Sequence, residues 1–244
     1  MKWTRKEILL ALRLYLETPF GQQHSSHPPI IELAKLIGRT PGAVAMKLSN
    51  LTSMDPVELE RGIKGLSGAS KLDKQIWAEY QANPTDIILE AESLDPASGE
   101  AGPTSEPDPT EKWTKNKVRL GQKFFRRGVL ASYGARCCIS GNPIKAVLRA
   151  GHILPWSVST EHRLNLRNGI CFEATYDAAF DAGIISIDFD YKIKVSPEIS
   201  NYSGDPEVVG RFLNLGGRLI NLPLKNIPAR EFLKWHQRNI YISA

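Results

Sequence analysis

Apolar positions along the chain change their spacing several times, and each change marks a different kind of element. Residues 4–18 place Ile8, Leu9, Leu12 and Leu16 at helical spacing, behind Thr4 as an N-cap that Glu7 completes into a capping box. HSSHPPIIELAKLIG predicts a second helix that starts at the Pro pair and stops at Gly38. RTPGAVAMKLSNL predicts a third, with Thr40 as N-cap, Pro41 in its first turn, and Val44, Met46 and Leu48 buried. KLDKQIWAEYQANP closes this region with an amphipathic helix carrying Trp77 and Tyr80. From Pro84 to Lys112 the periodicity is lost in a Pro-, Gly-, Ser- and acid-rich run, PASGEAGPTSEPDPTEK, that reads as a mobile linker. Beyond it the pattern is mixed. VRLGQKFFRRGVLASYG puts Phe124, Phe125, Val129, Leu130 and Tyr133 on one helical face, and RCCISGNPIKAVLRAGHILPW reads as strand, Asn-Pro turn, strand. Asn168 to Asp181 reads as helical and ends at Gly183. IISIDFDYKIKVSPEI alternates as a further hairpin with Asp190 near its turn, and AREFLKWHQRNIYI is a terminal helix.

The expected fold class is therefore α+β: an all-helical domain over residues 1–83, an acidic linker over 84–112, and a mixed domain over 113–244. Two short helices meeting at Gly38-Arg39-Thr40 resemble a helix-turn-helix, whose second helix enters the major groove. Arg39, Lys47, Ser49 and Asn50 are then the candidate contacts, against the plainer reading of a helical hairpin that only packs its domain.

Charge sharpens this division. Residues 1–83 carry 11 Lys and Arg against 8 Asp and Glu, residues 84–112 carry 1 against 8, and residues 113–244 carry 19 against 10. Two basic parts around an acidic tether suggest a polyanionic partner. The first residues turn from basic to apolar as a signal peptide does, but Arg13 and Glu17 interrupt the apolar stretch and no cleavage site follows. No apolar run reaches the roughly 18 residues that would span a bilayer. Cys137, Cys138 and Cys171 form no disulfide framework, so a reducing, cytoplasmic location is the economical expectation.

The densest chemistry lies between Leu148 and Asp181. His152 precedes an apolar Ile-Leu-Pro-Trp run, Asn168 follows sixteen residues later, and Asp177 nine residues after that. A hairpin packed on one helix can gather such residues into a metal-assisted phosphodiesterase, with one imidazole to deprotonate water and one cation to hold phosphate. Arg126, Arg127, Arg149, Arg163 and Arg167 are the candidate phosphate clamps, since guanidinium forks match phosphate oxygens.

FFRRGVLASYGARCCISG, AGHILPWSV, RLNLRNGICFEATYDAAFDAGIISID and KVSP resemble the C-terminal domain of HNH endonucleases of the restriction type. The likeness runs from about Val118 to the end of the chain, and the helical segment before it resembles domains that often precede such nucleases. It implies a ββα-metal fold that cleaves double-stranded DNA with one divalent cation. His152 falls on the general base. Asn168 falls on the central asparagine, which either steadies the histidine loop or approaches the metal. Two positions depart from the family. Asp177 stands where many members have histidine, which favours Mg²⁺ or Mn²⁺ over Zn²⁺. Gly151 stands where several have an Asp or His metal ligand. Asp181, four residues after Asp177, is either a second ligand or its partner, or else the end of the helix. Separated CxxC pairs are missing, so no structural zinc is expected. One site cuts one strand, so double-strand cleavage calls for a homodimer or sequential nicking. Two other classes compete: a non-catalytic DNA-binding regulator with a degenerate metal site, and a nuclease acting on RNA or single strands. The second would need stacking aromatics that the recognition helix lacks.

Overall fold

The structure, a computed structural model, describes residues 2–96 and 109–243, with the backbone alone over 109–116. Contacts divide the chain into two compact units, residues 1–128 and 129–244.

The first unit is helical. Helix α1 (Arg5–Glu17) begins at the expected capping box of Thr4 and Glu7, and buries Ile8, Leu9, Leu10, Leu12 and Tyr15 almost completely. A helix apolar around most of its circumference must be central. Helices α2 (Pro28–Ile37), α3 (Pro41–Thr52), α5 (Lys71–Ala82) and α6 (Pro84–Ser93) pack on it, with the short α4 (Pro56–Glu60) between α3 and α5 in sequence. Gly38 ends α2 at φ +65°, where a residue without Cβ is at ease, and Thr40 caps α3 through Ala43 N–H.

Two expectations for this unit are corrected. On α3 the buried stripe is Val44, Lys47, Leu48 and Leu51, so Met46 lies off it and is exposed, while Lys47 is buried. Residues 84–93, expected as the start of the linker, form α6. The apolar Ile87, Ile88 and Ala91 of α6 are buried, and their 3–4 spacing was hidden by the acids between them. Residues 97–108 of the expected linker lie outside the described residues.

Helix α7 (Pro109–Ser132) runs across the division, and buries Phe124, Phe125 and Val129. The second unit departs from the expected first hairpin. Residues 137–142 close a turn, Gly141 N–H bonding to Cys137 O at 2.9 Å and Cys137 N–H to Asn142 O at 3.0 Å. Strand β1 (Leu148–His152) instead pairs antiparallel with the later β2 (Gly169–Glu173), and helix α8 (Ala174–Asp181) leaves β2 directly. The helix expected over residues 168–181 is thus half strand, since Ile170, Cys171 and Phe172 are fully buried in the ladder. Gly183, at φ +74°, ends α8 as expected. Strands β3 (Ile185–Ile187) and β4 (Ile193–Val195) form the second hairpin, whose turn is held by Asp188 Oδ1 accepting from Asp190 and Lys192 N–H. Helices α9 (Pro206–Arg211) and α10 (Arg230–Asn239) follow. The molecule is therefore mixed helix and sheet, with an N-terminal helical region and a hairpin-plus-helix assembly in its C-terminal half. Among the described residues no helix is long and apolar enough to cross a membrane.

Candidate active site

The β1–β2 ladder brings the candidate residues to one end. His152, the last residue of β1, lies opposite Gly169, so Asn168 arrives next to it although sixteen residues separate them in sequence. The His152 Nε2 lies 3.0 Å from Arg163 O. A carbonyl oxygen only accepts, so in the neutral ring Nε2 carries the hydrogen and the lone pair belongs to Nδ1. Burial pushes the pKa of His152 below its ordinary value, and the bond to the Arg163 carbonyl opposes that in part. The neutral, basic form therefore dominates near pH 7.

The loop after β1 holds this ring. Trp156 meets it edge to face at 5.5 Å between centroids. Arg163 donates from Nε to Trp156 O at 2.9 Å and lies over the Trp156 ring, 4.9 Å from its centroid. Arg163, expected as a phosphate clamp, is thus half-buried and ties the loop to itself. The role of Trp156 was missed in the sequence, where it reads as the last residue of an apolar run.

Asn168 is buried and its amide is engaged throughout. Oδ1 accepts from Leu154 N–H at 2.8 Å, while Nδ2 donates to Leu154 O and His162 O, both at 3.2 Å. Its own carbonyl accepts from Ile153 N–H at 2.9 Å. These bonds fasten the loop after β1, in keeping with the first of the two roles open to it. His162, read as loop surface, accepts that bond through its carbonyl and packs its ring 4.8 Å from Phe232.

Asp177 and Asp181 stand four apart on α8 and so share a face. Burial and the charge of Asp181 push Asp177 up to about 6, with Arg149 pulling the other way; burial also raises Asp181. Strand pleating places Arg149 and Gly151 on the side of β1 toward α8, opposite Phe172 and Ile170 of β2, and Phe172 packs on Phe180 of α8. A Cβ at Gly151 would come within 2.6 Å of Asp177 Oδ1. The carboxylate therefore lies directly over the strand residue before His152.

A half-buried and an exposed carboxylate one helical turn apart are hard oxygen donors that suit a hard cation. Among the described residues no group of three or more His, Cys, Asp or Glu side chains could hold a metal ion. The set fits Mg²⁺ or Mn²⁺, which keep several waters and complete their shell with substrate phosphate, and does not fit a closed Zn²⁺ cage. All three cysteines are buried, Cys137 Sγ accepting from Glu173 N–H.

The remaining candidates are scattered. Arg149 is exposed, its guanidinium bonding to Ala146 O and Leu148 O. Arg167 is half-buried and donates to Ile227 O, and Arg126 is exposed on α7. Three expected contacts are ion-paired. Arg127 is bound to Glu17 and Glu92, Arg39 to Glu7, and Lys47 lies 2.7 Å from both oxygens of the buried Asp73. Each has a carboxylate partner inside its own unit. Asn50, half-buried, donates to Gly68 O at 3.4 Å.

Residues 137–188, from the Cys137 turn through β1, β2, α8 and β3, match the family model of HNH endonucleases. Among curated proteins none matches the chain.

Proposed function

We propose that this chain is a metal-dependent endonuclease acting on double-stranded DNA, a reading supported by the match of residues 137–188 to the HNH endonuclease family model. His152 Nδ1 accepts a proton from a water as that water attacks the scissile phosphorus, and the 3′-oxygen departs on the opposite side. The bond from Nε2–H to Arg163 O fixes the tautomer and steadies the imidazolium that forms. Asn168 and Trp156 keep the ring in place. Asp177 and Asp181 would hold one Mg²⁺ or Mn²⁺, which when bound supplies positive charge to the phosphate and the departing oxygen. Exposed Arg149, on the same face of β1, is the cation best placed to meet an incoming phosphate.

The observation that carries this reading is the His152 ring, anchored through Nε2 at the end of β1 with the Asp177 carboxylate over the residue beside it. A restriction-like, cytoplasmic role, with a dimer or two successive nicks for double-strand cleavage, goes with it. The test is plasmid nicking with Mg²⁺, Mn²⁺ or EDTA, on unmodified DNA and on DNA with modified cytosine. His152→Ala is expected to lose at least about 100-fold in rate, the usual share of a general base. Equal rates in both proteins overturn the assignment of the base. A second reading, a DNA-binding regulator, draws on the sparse set of two carboxylates; DNA binding without cleavage under any metal would establish it.

A further inference from the structure

We propose that Gly151 is the positioning residue of the cation site: the bare Cα of β1 is the seat on which the Asp177 carboxylate rests. The inference rests on the endonuclease reading above and concerns which element supplies the negative charge beside the base. In an antiparallel strand a glycine gives up side-chain packing, and is tolerated where another group must come close to the backbone. At Gly151 that group is identified. The position a Cβ would occupy lies 2.6 Å from Asp177 Oδ1 and 3.8 Å from its Cγ, with Phe172 Cδ2 at 3.4 Å on the other flank. The glycine does not need its conformational freedom here, because its φ is not positive. Space alone requires it.

The two chain positions are therefore one device. Strand residue 151 carries no ligand, and helix residue 177 reaches over the strand to place a carboxylate there. Phe172 and Phe180, packed at 5.2 Å between ring centroids, set the distance between β1–β2 and α8 that makes this reach possible. Any side chain at 151 needs the space that Oδ1 occupies. Since the Asp side chain turns about two bonds, the cheapest adjustment is to swing the carboxylate away, leaving strand and helix in place. The site would lose its negative charge without the fold being lost.

The test is a double-mutant cycle in the full-length chain with Gly151→Ala, Asp177→Ala and the pair, read by Mn²⁺ binding calorimetry without DNA and by thermal melting. Gly151→Ala is expected to weaken Mn²⁺ binding at least tenfold, with no further loss when it is added to Asp177→Ala. In melting, Gly151→Ala should lower Tm in the wild-type background and leave it unchanged or higher where Asp177 is already alanine, since the clash has gone. Unchanged Mn²⁺ affinity in Gly151→Ala, or strictly additive melting shifts, overturns the proposal. If the wild type itself fails to bind Mn²⁺, the endonuclease reading loses its cation, and the melting cycle still decides whether Gly151 seats the carboxylate.

Discussion

Burial gives the Asp177 carboxylate its raised pKa, and the same burial makes the residue costly to the fold. Its folded value of about 6 lies above the ordinary 3.8, so the native state binds the proton more tightly than the unfolded chain. Stability from this group is therefore greatest below about 3.8 and is lost as pH rises through 6. Asp177→Asn is expected to raise stability at pH 7 by on the order of 1 kcal/mol, allowing for partial solvent screening, and to lose that advantage near pH 4. Urea unfolding at the two pH values checks this, while the nicking rate of the same variant should fall. A variant that loses stability at pH 7 would mean that Asp177 has a structural partner. His152 has the opposite character: its pKa is lowered, so near neutrality it is held in the form that accepts a proton.

At the scale of elements, α10 packs through Phe232, Leu233 and a buried histidine, His236, that nothing in the sequence singled out. His236 stacks on Phe180 of α8 at 3.6 Å between centroids, pairs through Nδ1 with Ser186 Oγ of β3 at 2.9 Å, and through Nε2 with Phe180 O at 3.0 Å. Burial lowers its pKa to about 4, against 6.5 when exposed. The unfolded state then binds the extra proton, and the stabilisation is complete above 6.5 and lost as pH falls toward 4. Between pH 7 and pH 4.5 wild type should lose about 2–3 kcal/mol more than His236→Gln, a difference in which the Asp177 contribution cancels. Equal losses in urea titrations would show that His236 does not titrate in this range. The elements were legible where apolar spacing and caps agreed, as in α1, α2 and α10. They were misread in two places. Cys137-Cys138 has strand-forming composition but closes a turn, and Ile170-Cys171-Phe172 continues a helical-looking run but completes the ladder of β1. In both, a partner distant in sequence overrode the local pattern.

Over the whole molecule, the division of charge moves once α6 joins the helical unit. Residues 1–96 hold 11 Lys and Arg against 12 Asp and Glu, and Arg5, Arg13, Arg39, Lys47 and Arg61 are all ion-paired within that unit. Residues 113–128 hold six against none, and residues 129–244 hold 13 against 10. On the proposed function, the electrostatic attraction for DNA should therefore come from α7 and the second unit. Arg119→Ala combined with Lys123→Ala, two exposed positions of α7, is expected to weaken DNA binding at all sequences and reduce the slope of log K against log salt by about 2. Arg39→Ala should leave that slope unchanged. Fluorescence anisotropy across 50–300 mM salt separates them; a large change for Arg39→Ala alone would return the DNA contact to the α2–α3 turn.

The residues from His152 to Asp181 could be singled out from sequence as candidates because their types suit the chemistry, an imidazole to take a proton and carboxylates for a hard cation, and their order resembles that of HNH endonucleases. The same was true of the helical first unit, whose caps and apolar spacing are local properties of the chain. Burial and partnership were decided only by the tertiary structure. It gave Lys47, Arg39 and Arg127, all candidate DNA contacts, a carboxylate partner from a distant part of their unit. It joined the Asn168 amide to the backbone of residues 154 and 162. At Gly151 it turned an apparently missing side chain into the space that Asp177 fills, because only the packing of α8 on β1 brings those atoms together.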